Sequence, residues 1–242
     1  MKKLSIVIPA YNESAFIGAL LEKIAQVDTR PLGFEKEVLV VNDGSTDNTA
    51  LIVRGFESAG VRCFDQVPNQ GKGRAVRRGI VEASGEYILV QDADLEYDPA
   101  DYLVILGALT SGVDSVYGSR TLGQFRKAGW SFTPGRHPHQ GFGPWLAGAL
   151  LSGWTLLLYG RWMSDTLTAY KLYPAGFLKK LKLETSGFET DHEITARLIR
   201  AGCRIAEVPI AYHPRSTSEG KKIKPRDGVI AAWTLLRFRF KR

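Results

Sequence analysis

The stretch from residue 91 to residue 99, QDADLEYDP, carries the side chains with the clearest chemical use in this chain. It directly follows the apolar run Tyr87–Val90, which is typical of a buried strand. A strand that ends in Asp92 and Asp94 places two carboxylates at the carboxyl edge of a sheet. Hard cations such as Mg²⁺ bind one or two carboxylates together with substrate phosphate oxygens. The pattern therefore favours a divalent metal held against a diphosphate.

Asp-x-Asp pairs also occur in calcium-binding loops, but the residues that follow do not fit one. Such a loop needs a glycine at its sixth position and a glutamate at its twelfth. Residues 95–103 supply neither in register with Asp92. Asp98 is followed by Pro99, a pair more typical of a helix start than of a metal ligand.

The elements that must position these carboxylates are predicted to form an open α/β sheet. Short runs rich in Val, Ile and Leu, as found in parallel strands buried on both faces, alternate with segments of helical periodicity. We predict strands at 3–9, 37–42, 61–64, 87–91 and 114–117, and helices at 13–27, 48–59 and 73–83. Asn12 and Asp47 are placed to cap the first two helices. Polar loops at 10–13, 43–47 and 92–96 then meet at the carboxyl edge, where such sheets bind ligands.

Together these motifs resemble family 2 glycosyltransferases of the GT-A fold. The matching segments are 9–13, 41–49, 69–73, 91–99, 118–120, 164–171, 187–189 and 215–223. The later segments look like the polyprenyl- and dolichyl-phosphate hexosyltransferase branch, and residues 121–159 match least. The resemblance implies a mostly parallel central sheet flanked by helices, in one catalytic domain over residues 1–242. Within it we expect a nucleotide-sugar-binding half (1–118), an acceptor-side half (119–212), and a basic mobile loop with an amphipathic helix (213–242).

The resemblance also assigns residues to the donor. Asp94 matches the principal metal ligand and Glu96 a third polar group near it, with Mg²⁺ or Mn²⁺ as the cofactor. The implied donor-binding residues are Pro9, Tyr11, Glu13, Asp43, Lys72, Asp92, Ala93, Lys171, Arg215 and Lys221. Simpler roles stay open: Asp43 can cap its own turn, Glu13 can favour a helix start, and Lys72 can be an exposed lysine. The segment that contains Arg215 can be an exposed basic loop.

On the acceptor side, the resemblance implies that Arg120 contacts a phosphate. Arg126 and Arg136 are further candidates, because guanidinium groups bind phosphate in a bidentate manner, although each can equally be a solvated arginine. The implied catalytic carboxylates are Asp92, Asp94, Asp165 and Asp191. We expect the neighbouring His192 not to bind metal, since the Asp-x-Asp pair already provides a metal site.

Composition and charge limit the partners. The chain has 242 residues, 44% of them hydrophobic, and a net charge of +7. This composition is typical of one folded domain, and Cys63 and Cys203 are expected to be buried, unpaired thiols of a reducing compartment. Basic residues concentrate at 221–226 and 237–242 without a nucleic-acid-binding module, so no nucleic acid is expected. A basic helix with Trp233, Leu235, Leu236, Phe238 and Phe240 fits an anionic membrane surface, and a solvated helix is the alternative.

Residues 144–160 form an uncharged segment close to the lower length limit for crossing a membrane, about 17–20 residues. Its place between Arg120 and Asp165 argues against crossing, because both flanks must reach one active site. Its aromatic residues favour a helix in the membrane interface, with a buried core helix as the alternative. We therefore expect a peripheral protein on the cytoplasmic face of a membrane.

The combined prediction is an inverting transfer of a hexose, mannose or glucose, from a GDP- or UDP-sugar to a polyprenyl or dolichyl phosphate. A hydroxyl acceptor is the competing enzyme hypothesis, and it would need Asp165, Asp191 or Glu193 as a base. A non-catalytic nucleotide-sugar-binding protein at the membrane is less consistent with the intact Asp-x-Asp pair. Hydride transfer is disfavoured because no GxGxxG follows the first strand.

Overall fold

The computed structural model of the chain describes residues 1–128, 133, 135–138, 141–215 and 225–241. These residues form one seven-stranded sheet in the order β3-β2-β1-β4-β6-β5-β7. The strands are β1 (Lys2–Ala10), β2 (Phe34–Asn42), β3 (Val61–Asp65), β4 (Tyr87–Val90), β5 (Ser115–Ser119), β6 (Lys171–Pro174) and β7 (Ile205–Pro209). Strand β6 is antiparallel to both of its neighbours, and all other pairs are parallel. The predicted mostly parallel α/β sheet is confirmed.

Helices cover both faces of this sheet. They are α1 (Ile17–Gln26), α2 (Thr49–Arg54), α3 (Lys72–Glu82), α4 (Tyr102–Gly107), α5 (Arg120–Ala128), α6 (Phe142–Tyr159), α7 (Ala175–Leu178), α8 (Thr190–Arg200) and α9 (Pro225–Phe240). One apolar core lies under α1, α2 and α4, and a second lies under α3, α7 and α8. A third, smaller core joins α6, α8 and α9. The division into 1–118, 119–212 and 213–242 stays a prediction.

The first two helices begin differently from each other. The N-cap residue of α2 is Asn48 rather than Asp47, and its side chain makes no cap hydrogen bond; Asp47, one residue earlier, accepts a hydrogen bond through Oδ1 from the Thr49 backbone N–H at 2.9 Å. Asn12 does not cap α1: its Oδ1 accepts from the Thr46 backbone N–H at 2.8 Å, and α1 begins only at Ile17. That prediction was wrong because Asn12 adopts a left-handed φ of 52°, which turns the chain before the helix. Both side chains thus tie the loop after β1 to the loop after β2.

The antiparallel strand β6 brings the second half of the chain to the Asp-x-Asp loop. Lys171, the first residue of β6, pairs in register with Val90, the last residue of β4. The segment that enters β6 therefore lies next to the segment that leaves β4. Because β5 and β7 run parallel to β4, the residues that follow them, from Arg120 and Ile210 onward, reach the same edge. The carboxyl edge of the sheet thus collects loops from both halves.

Helix α6 is the one helix among the described residues whose length and apolar composition would suffice to cross a membrane. Only 17% of it is buried, so the alternative of a buried core helix does not hold. One face packs on α9, where Trp154 Nε1 donates to the Ala232 carbonyl at 3.1 Å and the Tyr159 hydroxyl to the Leu235 carbonyl at 2.7 Å. The opposite face leaves Leu150 and Leu157 exposed.

Two expectations about apolar residues need correction. Leu235 and Phe238 of α9 are not available to a membrane, because they are buried in the core that α9 shares with α6 and α8. Trp233 and Phe240 are exposed, as expected. Both cysteines are free, as expected, but they are half-buried rather than fully buried.

Candidate active site at the carboxyl edge of the sheet

Three carboxylates from two loops converge on one guanidinium. Arg215 Nη2 lies 2.7 Å from Asp94 Oδ2, and Nη1 lies 3.3 Å from Glu13 Oε2. The Arg215 backbone N–H donates to Glu96 Oε1 at 2.8 Å. Glu13 follows β1, whereas Asp94 and Glu96 follow β4. The predicted gathering of polar loops at this edge is therefore what the structure shows, and Arg215 closes it from the far end of the chain.

The pKa of Asp94 reflects this crowding. Burial raises it, the charges of Asp92 and Glu96 raise it further, and Arg215 only partly offsets them, so it reaches about 7. Leu95 has a left-handed φ of 60°, an uncommon conformation for a non-glycine residue, and it separates the two predicted metal ligands. Such perturbed carboxylates in a shared site are typical of functional centres.

The ammonium group of Lys72 is the second positively charged side chain at this edge. Its Nζ lies 2.6 Å from Asp92 Oδ1 and 3.9 Å from Asp191 Oδ2. Burial alone would lower the pKa of Lys72, but these carboxylates raise it above its ordinary value. Burial raises the pKa of Asp191, against the opposing charges of Lys72 and Lys171. Lys72 is therefore not an exposed lysine; it bridges two of the predicted catalytic carboxylates.

The start of α3 can hold Lys72 there because two glycines allow a close approach to the loop before α8. Gly71 has a left-handed φ of 94°, and the Gly73 backbone N–H donates to the Ser186 carbonyl at 2.8 Å. A Cβ atom on Gly73 would lie 1.9 Å from Thr190 Oγ1. Any side chain at residue 73 would thus push Lys72 away from Asp191.

The Asp43 carboxylate binds groups that lie outside its own turn. Its carboxylate accepts hydrogen bonds from Gln66 Nε2 at 2.6 Å and from the backbone N–H groups of Gln70 and Gly71, each at 2.8 Å. It therefore holds the loop between β3 and α3 against the end of β2. Pro9 and Ala93 are buried, while Tyr11 is 37% exposed. Their predicted roles in donor binding stay predictions.

Arg120 and Asp165 form a buried bidentate pair. Arg120 Nε lies 2.7 Å from Asp165 Oδ2, and Nη2 lies 2.7 Å from Oδ1. The Arg120 guanidinium also stacks on the Tyr212 ring at 4.9 Å, and the Tyr212 hydroxyl donates to Glu96 Oε2 at 3.1 Å. The predicted acceptor arginine is thus linked to the predicted metal loop. Sequence reasoning missed Tyr212; its position just after β7, on the same edge as Asp92, was the available signal.

The predicted roles of Lys171, Arg126, Arg136 and Lys221 stay predictions. The Lys171 side chain is completely buried, with Nζ 3.4 Å from both the Thr166 carbonyl and Thr195 Oγ1. Arg126 is exposed on α5, and Arg136 is half-buried in the short described stretch 135–138. Lys221 lies outside the described residues. Asp98 begins the next helical turn, as expected, by accepting from the Ala100 backbone N–H at 3.0 Å.

Two residues of α8 next to Asp191 are buried. Glu193 is fully buried and accepts hydrogen bonds from the backbone N–H groups of Glu184 and Thr185, from the Thr185 hydroxyl and from Arg197. It holds the loop before α8 and does not face the site. The His192 ring is buried, and neither ring nitrogen has a hydrogen-bond partner among the described residues. Burial lowers the pKa of His192 to about 3, with a further contribution from Lys171.

The carboxylates suit a hard divalent cation whose coordination shell is completed by a bound substrate. No group of three or more His, Cys, Asp or Glu side chains in the described ranges converges to hold a metal alone. Asp94 and Glu96 supply the carboxylate oxygens that Mg²⁺ and Mn²⁺ favour, and such cations commonly complete their shell with substrate phosphate oxygens. The donor set therefore suits a metal shared with a diphosphate.

Solved structures with the same architecture identify the fold of this protein. Glucosyl-3-phosphoglycerate synthase from Mycobacterium tuberculosis, in complex with Mn²⁺, UDP and phosphoglyceric acid, superposes with a TM-score of 0.70 at 20% identity, over 100% of this chain and 80% of that one. Mannosyl-3-phosphoglycerate synthase from Rubrobacter xylanophilus gives 0.69 at 17% identity, over 98% and 72%. The chain has the GT-A glycosyltransferase fold, as predicted.

The profile of the family described as "Glycosyl transferase family 2" matches residues 5–151. This chain belongs to that family and is a glycosyltransferase. Glycosyltransferase AglJ from Haloferax volcanii is 28% identical over 96% of this chain and 70% of its own length. Dolichol-phosphate mannosyltransferase from Pyrococcus furiosus is 28% identical over 90% and 59%, and dolichyl-phosphate beta-glucosyltransferase from Saccharomyces cerevisiae is 29% identical over 87% and 66%. This chain thus spans less than two thirds of the last two proteins.

Proposed function

We propose that this protein is an inverting, metal-dependent hexosyltransferase that moves glucose or mannose from a UDP- or GDP-sugar to a polyprenyl or dolichyl phosphate at a membrane surface. The observation that carries the proposal is the arrangement of charges at the carboxyl edge. Asp94 and Glu96 offer oxygens for a cation, while Lys72, Arg120 and Arg215 surround them with three positive charges. Such an arrangement suits a metal-bound diphosphate on one side and a phosphate acceptor on the other.

The donor half of the reaction needs compensation of the charge that develops on the leaving diphosphate. A divalent cation held by Asp94 and Glu96 would supply part of it by acting as a Lewis acid. The Lys72 side chain extends from the start of α3 toward the same edge and adds a positive charge close to Asp92. The proposed role of Asp92 is to keep this ammonium, and through it the sugar-bearing end of the donor, in one orientation.

The acceptor half does not require a general base if the acceptor is a phosphate monoester. Its second pKa is near ~6, so the nucleophilic oxygen is already anionic at neutral pH. What the acceptor needs is orientation and a counter-charge. Arg120 provides both in this proposal, because Asp165 and the Tyr212 ring hold its guanidinium in one place.

A hydroxyl acceptor would need a general base, and the three carboxylates named for that role support it less well. Glu193 is fully buried and saturated with hydrogen bonds, and Asp165 is paired with Arg120 at 2.7 Å through both oxygens. Asp191 is left as the base candidate, and Lys72 lies 3.9 Å from it. Burial raises the pKa of Asp191 against the charges of Lys72 and Lys171, so this carboxylate keeps the character of a base. Because two of the three named carboxylates are engaged elsewhere, we prefer an acceptor that arrives with its own negative charge.

The membrane part of the proposal is supported by the exposed faces of α6 and α9. Leu150 and Leu157 on α6 are 65% and 74% exposed, and Trp233 and Phe240 on α9 are 62% and 72% exposed. Arg237 and Arg239 lie beside them on α9. Apolar side chains flanked by basic ones are typical of a helix that lies in the interface of an anionic membrane. We propose peripheral attachment to the cytoplasmic face.

A transfer assay tests the proposed function. UDP-glucose and GDP-mannose are each supplied with Mg²⁺ or Mn²⁺ and with undecaprenyl phosphate in detergent micelles. We expect one donor to yield a glycosyl phospholipid, and Asp94→Asn to reduce its formation on the order of 100- to 1,000-fold. Asp28→Asn, an exposed carboxylate outside the site that pairs with Arg30, is the matched control and should retain full activity. Metal-dependent binding of a nucleotide sugar without lipid product would instead favour a hydroxyl acceptor.

A further inference from the structure

The guanidinium of Arg215 already occupies the position between the carboxylates proposed to bind the metal. Its contacts are with Asp94 at 2.7 Å and Glu13 at 3.3 Å, and Nε lies 4.0 Å from Glu96 Oε1. The side chain is 10% exposed, and the three carboxylate side chains are 8–13% exposed. A positive charge is thus enclosed among three negative ones at the predicted metal loop.

A divalent cation and this guanidinium cannot both use these carboxylates favourably. Asp94 Oδ1 already accepts from the Glu96 backbone N–H at 3.1 Å, and Oδ2 accepts from Arg215. A metal bound to Asp94 would therefore stand next to the guanidinium. Repulsion between like charges at such separations is strong where water is largely excluded.

The two predicted metal ligands have hydrogen-bond partners besides the guanidinium. The Tyr212 hydroxyl and the Arg215 backbone N–H donate to the Glu96 carboxylate, and the Glu96 backbone N–H donates to Asp94 Oδ1. The guanidinium also lies over the Phe16 ring, at 5.2 Å, which is a contact it can leave without breaking a hydrogen bond. Departure of the guanidinium would break its contacts with Asp94 and Glu13, while these other hydrogen bonds would keep Asp94 and Glu96 in place.

We propose that Arg215 and the divalent cation are alternative counter-ions of Asp94 and Glu96, so that the cation binds only when the guanidinium leaves, and that the diphosphate of the donor attracts the guanidinium away. This inference rests on the proposed function, because it assumes a metal and a nucleotide diphosphate at this edge. An arginine is suited to the exchange, since its planar guanidinium pairs equally well with carboxylate and with phosphate.

The exchange predicts a specific coupling between two ligands. Metal alone must displace Arg215 without compensation, so it binds weakly. Metal together with a nucleoside diphosphate gives the guanidinium a new anionic partner, so it binds tightly. By linkage, the nucleotide must bind more tightly in the presence of metal by the same factor. Removing the guanidinium should strengthen the binding of metal alone and reduce this coupling.

The experiment measures Mn²⁺ binding by electron paramagnetic resonance, without turnover, in the full chain, alone and with UDP or GDP. Arg215→Gln is expected to bind Mn²⁺ alone at least ten-fold more tightly than the wild type, and to gain less from added nucleotide. Arg215→Lys keeps a positive charge but makes fewer simultaneous contacts, so its affinity should lie between the two. Arg54→Gln, which removes the same charge from the exposed pair with Asp65, should behave like the wild type.

Two outcomes would overturn the inference, and they differ. If Mn²⁺ binds the wild type and both Arg215 variants with equal affinity, Arg215 does not compete with the metal, while the proposed function stands. If Mn²⁺ binds none of the proteins, even with either nucleotide, the assignment of the metal to Asp94 and Glu96 fails together with the inference.

Discussion

Lys72 Nζ lies 2.6 Å from Asp92 Oδ1 and so joins the start of α3 to the loop that follows β4. Helix α3 packs on β1, the sheet neighbour of β4, and the Gly73 backbone N–H in its first turn also donates to the Ser186 carbonyl in the loop before α8. Asp191 completes the arrangement from the first turn of α8. Lys72 thus acts as the shared counter-ion of two carboxylates from different parts of the chain.

Replacing Lys72 with Met should leave Asp92 and Asp191 without this counter-ion. We expect the free energy of unfolding to fall by about 2 kcal/mol, because a largely buried charge loses its partner. Adding Asp92→Asn to this variant should restore part of the loss. Urea denaturation of the single and double variants measures the effect. Lys23→Met, at an exposed lysine 3.7 Å from Asp98, is the matched control and should change stability little. An equally small effect at Lys72 would contradict the shared role.

Asp165 should affect catalysis only through Arg120, because both of its oxygens contact that guanidinium. We expect Asp165→Asn to lower kcat/KM in the wild type and to have little further effect in an Arg120→Gln background. This corresponds to a coupling free energy of about 1–3 kcal/mol. Steady-state kinetics with varied lipid phosphate measures it, and a change in KM for the acceptor would indicate positioning.

The exposed pair of Arg204 and Asp114 serves as the reference for this double-mutant comparison of Asp165 and Arg120. Its coupling in the same assay should be close to zero. Additive effects of the Asp165 and Arg120 replacements would show that Asp165 has a role of its own, as the sequence-based assignment to the catalytic residues implied.

His192 should make the fold sensitive to acid. Its pKa is about 3 in the folded protein and near 6.5 in the unfolded chain, so the unfolded chain binds more protons between these values. The free energy of unfolding should therefore decrease as pH falls from 6.5 toward 3, by up to about 1.4 kcal/mol per pH unit. Full stability is recovered above pH 6.5.

Replacing His192 with Leu removes this dependence, since neither ring nitrogen has a hydrogen-bond partner in the described part of the chain. Urea denaturation at pH 7.5 and pH 5 compares the variant with the wild type. His213→Leu, at an exposed histidine, controls for the loss of a histidine as such. Equal pH dependence in the wild type and the His192 variant would show that the pKa of the ring is the same in the folded protein as in the unfolded chain.

The exposed faces of α6 and α9 should be responsible for vesicle binding. Leu150→Asp and Trp233→Asp should each weaken binding to anionic vesicles on the order of ten-fold, because a charge replaces an apolar side chain in the interface. Sedimentation with vesicles measures binding, and circular dichroism checks the fold. Leu51→Asp, at an equally exposed leucine of α2, is the control and should bind normally. Unchanged binding in both variants would exclude these faces.

These substitutions are more informative than deletion of the basic tail. Arg237 Nη2 donates to Glu184 at 2.9 Å, Lys241 contacts the same carboxylate, and Arg200 contacts the carbonyls of Phe238 and Lys241. The tail thus helps to hold α9 on the body of the protein. Its deletion would disturb the fold as well as any membrane contact.

The sequence was sufficient to predict the first five strands, β1 to β5, their alternation with helices and the edge at which the site lies, but β6 and β7 were not predicted. Buried parallel strands are continuous apolar runs, and the Asp-x-Asp loop directly follows such a run at β4. The sequence also predicted, through its motifs, that Asp94, Glu96 and Arg215 belong to one site. Local pattern and chain direction carry that information, since parallel strands must end at the same edge.

The partners within the site could not be read from the sequence. Contacts such as Lys72 with Asp191, Arg120 with Asp165 and Arg215 with Asp94 join residues 45 to 121 positions apart. They depend on strand order, above all on the antiparallel β6 between β4 and β5, which no periodicity encodes. Burial also depends on the tertiary structure: Lys171 and Glu193 are charged residue types, and only the packing of β6 and α8 encloses their side chains.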